Sequence, residues 1–230
     1  MKQLLTRSII LSRTDYGEAD RILTLLTPEQ GKLRLMARGV RKAHSRLAGG
    51  IELFSTADIT YLPGRGEIGT LISARLSKYY SSIVKNIDRV QLGYELIKTL
   101  HRATEDQPEP EYFKLLEDAF QALDDPAIDL GLIRLWFQAQ ILHQAGHMPN
   151  LRTDTTGEKL NTDSLYVFDI DNVAFTPAEQ GQFSPNAIKF LRLCFANNQP
   201  KILAQVEGGK ELVERCQPLV EAMSRDFIRF

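Results

Sequence analysis

The chain has 230 residues, 43% hydrophobic and 25% charged, a core-forming composition that excludes a disordered or collagen-like polypeptide. No run of about 18 apolar residues is present, which excludes an ordinary transmembrane helix, and Arg7 and Arg13 interrupt the start too early for a signal-peptide apolar region. A cytoplasmic protein is expected. The net charge of −1 conceals an asymmetry: residues 1–80 hold 13 Lys and Arg against 7 Asp and Glu, which leaves 15 against 22 for the remainder.

In chain order, strand-like runs occupy 4–12, 21–27, 31–38, 51–62 and 69–78, separated by turn residues at 15–17, 28–31, 49–50 and 63–66. From Gly31 to Arg38 the alternation has period 2. Leu33, Leu35 and Ala37 share one face, and Lys32, Arg34, Met36 and Arg38 share the other. Five short strands with short connections in about 80 residues suit a small antiparallel barrel, of which the oligonucleotide-binding barrel is the common five-stranded form. Periodicity does not give its strand order.

Residues 81–230 read as mainly α-helical. Helices are expected at 82–104, 111–123, 127–145 and 184–196, with a break at 106–110. Ser184 serves as N-cap and Pro185 opens the first turn. The helix at 127–145 is apolar on most sides and is therefore expected to be buried. Residues 150–181 form an irregular insert in which 165–170 and 173–176 pair as a hairpin. A last apolar stripe, Leu212 to Phe227, contains Pro218, which predicts a kink or two short helices.

Catalytic and metal signals are weak. Gly64-Arg65-Gly66-Glu67-Ile68-Gly69 spells a dinucleotide fingerprint, but a strand follows where a helix is required, so it reads as a hairpin turn. Arg65 at that turn is a candidate phosphate contact. His143 and His147 have i, i+4 spacing without the following Glu of a zinc protease helix, and Gly146 ends the helix between them. Asp169 and Asp171 begin like a calcium loop, yet Val173 takes the next ligand position. Cys194 and Cys216 fall on apolar faces and read as core. No nucleophile elbow is present. No catalytic role, metal or cofactor is expected.

Binding is the stronger signal. Between Glu29 and Glu52 there is no acidic residue, while Lys32, Arg34, Arg38, Arg41, Lys42 and Arg46 all fall there, with His44 beside them. These six, with Arg65, are the candidate phosphate contacts, because each neutralised phosphate releases counterions. A merely basic surface loop is the plainer alternative. The aromatic candidates for base stacking are Tyr16, Phe54, Tyr61, Tyr79 and Tyr80, of which Phe54 reads as core. Arg134 lies among Ile133, Leu135, Trp136 and Phe137. Such a guanidinium anchors a carboxylate whose apolar neighbours fill a pocket, or it lies at the helix surface or pairs with an interior acid.

The run Tyr16-x-Glu18-x-Asp20, Leu25-x-Thr27, Gly31-Lys32, Ala37-Arg38-Gly39-x-Arg41-Lys42, Ser45-x-Leu47, Phe54, Tyr61 and Gly64-Arg65-Gly66-Glu67 resembles the bacterial DNA repair family RecO. Gly146-x-x-Pro149-x-Leu151 and Ser184-Pro185-x-Ala187 extend the likeness more loosely. The resemblance implies an oligonucleotide-binding barrel (1–80) followed by a helical domain (81–230) of a nucleoid-associated, non-enzymatic recombination mediator. Such proteins bind single- and double-stranded DNA, anneal complementary strands and, with RecR, help load RecA on strands coated by single-strand-binding protein. They recognise the acidic C-terminal tail of that coat protein, here expected at Arg134, Leu135 and Phe137. Many members carry a four-cysteine zinc module after the Pro-x-Leu segment. Here the stretch Arg152-Thr153-Asp154-Thr155-Thr156-Gly157 has no cysteine, so no zinc is expected and the hairpin is expected to keep the shape alone. An RNA-binding barrel, a scaffold for an acidic partner and a cryptic enzyme are the competing readings.

Overall fold

A computed structural model describes residues 2–104, 110–196 and 198–228. The chain divides into two compact units, Met1–Asp124 and Asp125–Phe230.

The first unit contains five strands, β1 (Leu4–Tyr16), β2 (Asp20–Thr27), β3 (Gly31–Ala37), β4 (Ser55–Leu62) and β5 (Ile68–Tyr79), closed in the order β1-β2-β3-β5-β4. This is the oligonucleotide-binding order. All pairings are antiparallel except β3 with β5, which run parallel with Arg34 beside Ile68 and Met36 beside Thr70. That single parallel contact closes the barrel and leaves no signature in either strand's alternation. The expected faces hold: Leu35 and Ala37 are buried with Leu23, Leu25, Ile10 and Ile59 in the barrel core, against which Leu33 packs. A bulge at Leu11 shifts the β1–β2 register, so that Arg13 lies opposite Leu23 and Asp15 opposite Arg21.

Two helices complete this unit. Asn86 caps α1 (Ile87–Ala103) by accepting from the N–H groups of Asp88 and Arg89. A short 3-10 turn occupies 83–85 instead of the first helical turn expected at 82. α2 (Pro110–Asp124) presents Phe113, Leu116, Phe120 and Leu123 to the interior, the stripe that its spacing predicts. Apart from Pro110, the break expected at 106–110 lies outside the described residues. The sequence puts a boundary at Tyr80, whereas packing groups α1 and α2 with the barrel. Arg89 donates to the carbonyl of Leu123 at 2.8 Å, and the N–H of Ser82 donates to Asp124 at 2.7 Å.

Phe54 organises the junction. Its φ is +55°, an unusual conformation for a bulky residue. Its ring meets Tyr94 and Phe120 edge-on at 5.4 and 5.5 Å. A Cβ at Gly93 would come within 2.5 Å of the Phe54 ring, so glycine at that position is what lets α1 approach.

In the second unit α3 (Leu130–Gln144), capped by Asp129, packs against α4 (Pro185–Phe195), α5 (Pro200–Leu203) and α6 (Gly209–Phe227). Contacts on several sides explain its all-round apolarity. Its one buried amide, Gln140, is satisfied by the carbonyls of Cys194 and Ala196 at 2.7 and 2.8 Å. Ser184 caps α4 as expected. Of the two outcomes expected at Pro218, a kink or two short helices, the second is not what forms: α6 is one 19-residue helix through that proline. Burial of Val213, Cys216, Leu219, Val220 and Met223 on its inner face outweighs the one backbone hydrogen bond that proline removes.

The insert forms a three-stranded sheet, β6 (Asn150–Asp154), β7 (Tyr166–Asp169) and β8 (Ala174–Pro177), in the order β6-β8-β7. The hairpin is the expected one. The short β6, parallel to β8, has no alternation to reveal it. Phe175 lies at the centre of an aromatic cluster with Tyr166, Phe168 and Phe183, all edge-on at 5.0–6.4 Å. Asp169 closes the hairpin turn by accepting from the N–H groups of Asp171 and Asn172. The residues present do not fit a zinc site: the stretch lacks cysteine, and among the described residues no three His, Cys, Asp or Glu come together to hold a metal. His147 stacks on Phe227 at 5.0 Å. Cys194 and Cys216 are fully buried, and burial pushes the Cys216 thiol up to about 12. Among the described residues, no helix is long and apolar enough to cross a membrane.

Candidate nucleic-acid interface

The acid-free window folds as two pieces with different surroundings. Its first piece is β3. Lys32 points outward, as its position requires, but its ammonium donates to the carbonyls of His101 (2.9 Å) and Thr104 (2.5 Å). Those carbonyls belong to the C-terminal end of α1, where unpaired backbone oxygens and the negative end of the helix dipole favour a cation. Lys32 is therefore a helix cap. Arg34 is exposed but faces Glu67 at 3.4 Å.

The second piece is the loop after β3. It is tied to the β1–β2 turn by backbone geometry. Asp20 accepts from the N–H of Gly39 at 2.7 Å, and the N–H of Arg41 donates to the carbonyl of Ala19 at 2.9 Å. Gly39 takes a φ of +64°, a conformation that glycine adopts without strain. Two further turns follow, from the N–H of Lys42 to Gly39 and from that of Ser45 to Lys42. Asp15 lies between Arg21 (2.8 Å) and Arg41 (3.5 Å). The hydrogen bond from Arg21, and then the positive charge of Arg41, hold the Asp15 carboxyl below the usual carboxylate range.

Arg38, Lys42 and Arg46 on this loop are exposed, and so is Arg65 at the β4–β5 turn. Among the described residues none of the four has an ion-pair partner. These four cations are the uncompensated part of the surface that the sequence singles out. Arg65 falls on the β4–β5 loop, one of those by which such barrels take oligonucleotides, and the other three on the β3–β4 loop, which is tied to the β1–β2 turn. Arg38 follows β3 directly, about 13 Å along the strand from Arg34.

The aromatic candidates separate by burial. Phe54, Tyr61 and Tyr80 are core residues, whereas Tyr16 and Tyr79 are exposed. Tyr94, which helix spacing disguises as a core-stripe residue, is half exposed. In the second unit Arg134 is partly buried, while Leu135 and Phe137 are both 0% exposed. The tail contact expected of Leu135 and Phe137 therefore falls on buried side chains. They face the interior of α3's helical packing, and no peptide reaches them unless that core opens.

A family model described as recombination protein O N terminal matches residues 1–80, and one described as recombination protein O C terminal matches 86–223. A DNA repair protein RecO of Dehalococcoides mccartyi is 27% identical over 235 aligned positions, covering 96% of this chain and 88% of the relative. That of Rubrobacter xylanophilus is 30% identical over 224 positions, covering 95% and 83%. That of a Roseiflexus species is 36% identical over 148 positions, covering 64% of this chain and 51% of the relative.

Proposed function

The chain belongs to the recombination protein O family, and from that premise we propose that it acts in DNA repair as a recombination mediator. In this reading it binds single- and double-stranded DNA by its phosphate backbone, chiefly through Arg38, Lys42, Arg46 and Arg65. Arg34 and Arg41 add charge already shared with Glu67 and Asp15. It brings complementary strands together for annealing. With RecR it helps load RecA onto strands coated by single-strand-binding protein. It works in the cytoplasm, on nucleoid DNA, as a binding protein and not as a catalyst.

The observation behind the proposal is the clamped loop. A basic segment with no internal acid is held to the β1–β2 turn, while three of its cations have no ion-pair partner among the described residues. A surface so arranged suits a polyanion, and it predicts affinity that falls steeply with salt. Titrating a labelled single-stranded oligonucleotide at several salt concentrations, followed by strand annealing, tests it. Steep salt dependence and faster annealing support the proposal. No binding at low salt would remove it and leave the loop to an acidic protein partner. Preference for RNA over DNA of the same sequence would favour the RNA-binding reading.

The acidic tail of single-strand-binding protein is proposed to meet the second unit at Arg134. Arg134→Ala is expected to weaken binding of an acidic C-terminal peptide and to leave DNA affinity unchanged. Equal peptide affinity in mutant and wild type would end that assignment.

A further inference from the structure

Beside the β1–β2 end of the barrel lies a groove of about 630 Å³, within the first unit and outside the basic loop. Its apolar lining is Leu11, Leu53 and Ile97, and the carboxylate of Asp15, paired with Arg21, also lines it. Tyr94 and Lys98 come to it from α1, one helical turn apart, which puts their Cβ atoms about 5–6 Å from each other on one face. Lys98 is exposed and has no ion-pair partner among the described residues. Arg21 lines the same groove and is joined through Asp15 to Arg41 of the basic loop.

Tyr94 is held from one side. Phe54 meets it edge-on at 5.4 Å, and Phe54 is itself 2% exposed with a φ of +55°. Strained backbone of this kind persists only where its surroundings over-determine it, and it gathers at ligand sites. Tyr94 is nonetheless 49% exposed. A half-exposed ring on a rigid support, an apolar lining and a neighbouring cation make up the chemistry of a nucleotide: a flat base to stack and a phosphate to pair.

We propose that this groove takes one nucleotide unit of single-stranded DNA, its base against Tyr94 and its phosphate at Lys98, next to the strand's contact with the basic loop. The site rests on the DNA-binding reading above and adds to it a preference for unpaired strands. In a duplex the bases are stacked on one another and cannot reach Tyr94. The groove therefore discriminates by strand pairing, which the basic loop alone does not.

The test compares wild type, Tyr94→Ala, Tyr94→Phe and Lys98→Ala on a single-stranded oligonucleotide and its duplex across a salt series. Tyr94→Ala is expected to lower single-strand affinity roughly tenfold, with the salt slope and duplex affinity unchanged, because stacking releases no counterion. Tyr94→Phe keeps the ring and should bind as wild type does. Lys98→Ala should reduce the single-strand salt slope by about 0.7. Wild-type single-strand affinity in Tyr94→Ala, or an equal loss on single strand and duplex, would overturn the site while leaving the DNA reading intact. Failure of the wild type itself to bind would overturn both, so the two failures are told apart in one experiment.

Discussion

Lys32 and Lys42 lie ten residues apart in the same acid-free run, and by composition they are equivalent. Lys32 ends on two carbonyls of α1, whereas Lys42 stands exposed on a loop without an ion-pair partner among the described residues. The same contrast separates Arg34, across from Glu67, from Arg38 four residues later. Formal charge is a property of sequence, but available charge is what remains after the fold has used some of it. α3 repeats the lesson with apolar side chains. Leu135 and Phe137, beside Arg134, have the composition of a pocket wall and the burial of a core.

The largest effect that sharpens this division is expected from Phe137→Ala. As a fully buried ring in α3, it should cost about 3–5 kcal/mol of stability, read as a lowered urea midpoint. A variant that lost affinity for an acidic peptide at unchanged stability would instead return Phe137 to a binding surface.

Next comes the anchor of the loop. Asp20→Ala removes an acid from a surface proposed to meet a polyanion, so electrostatics alone would raise DNA affinity. Because Asp20 holds the Gly39 N–H, its loss should lower affinity several-fold. Asp20→Asn keeps an acceptor oxygen and drops the charge, and should bind at least as tightly as wild type. Tighter binding by both variants would mean that the loop needs no anchor.

Lys32→Ala is expected to cost about 1 kcal/mol of stability, as loss of a partly solvated, charge-assisted cap does. Chemical denaturation measures it.

The smallest effect concerns acid. The Asp15 carboxyl is lowered in the folded chain by Arg21 and Arg41, so its contribution is complete above the ordinary carboxylate value of about 4. It is lost as pH falls through the lowered folded value. The stability difference between wild type and Asp15→Asn should therefore stay constant from about pH 7 to 5 and shrink below about pH 4. A difference already changing between pH 7 and 5 would show that another group is responsible.

How far the sequence reveals this molecule depends on the range of the interaction involved. Alternation along β3 and the cap at Ser184 are local, and so are the acid-free window and the hairpin at 166–177. Each can be read from neighbouring residues. The β3–β5 closure joins strands some thirty residues apart through backbone groups that have no side-chain pattern. Lys32 finds its partners 69 and 72 residues away. Tyr94 shares its spacing with core residues of α1, and only the approach permitted by Gly93 and the conformation of Phe54 decides that its ring lies half outside. The continuous α6 likewise depends on helices that Pro218 does not foreshadow.

The central claim is that available charge, not total charge, makes the interface, and one comparison tests it directly. The single-strand salt slope would be measured for wild type, for Lys32→Ala and for the triple variant Arg38→Ala, Lys42→Ala, Arg46→Ala. The account predicts that the triple variant reduces the slope by about 2, near 0.7 for each lost phosphate contact, and that Lys32→Ala leaves it unchanged. A slope unchanged in the triple variant, or reduced by Lys32→Ala, would contradict the account.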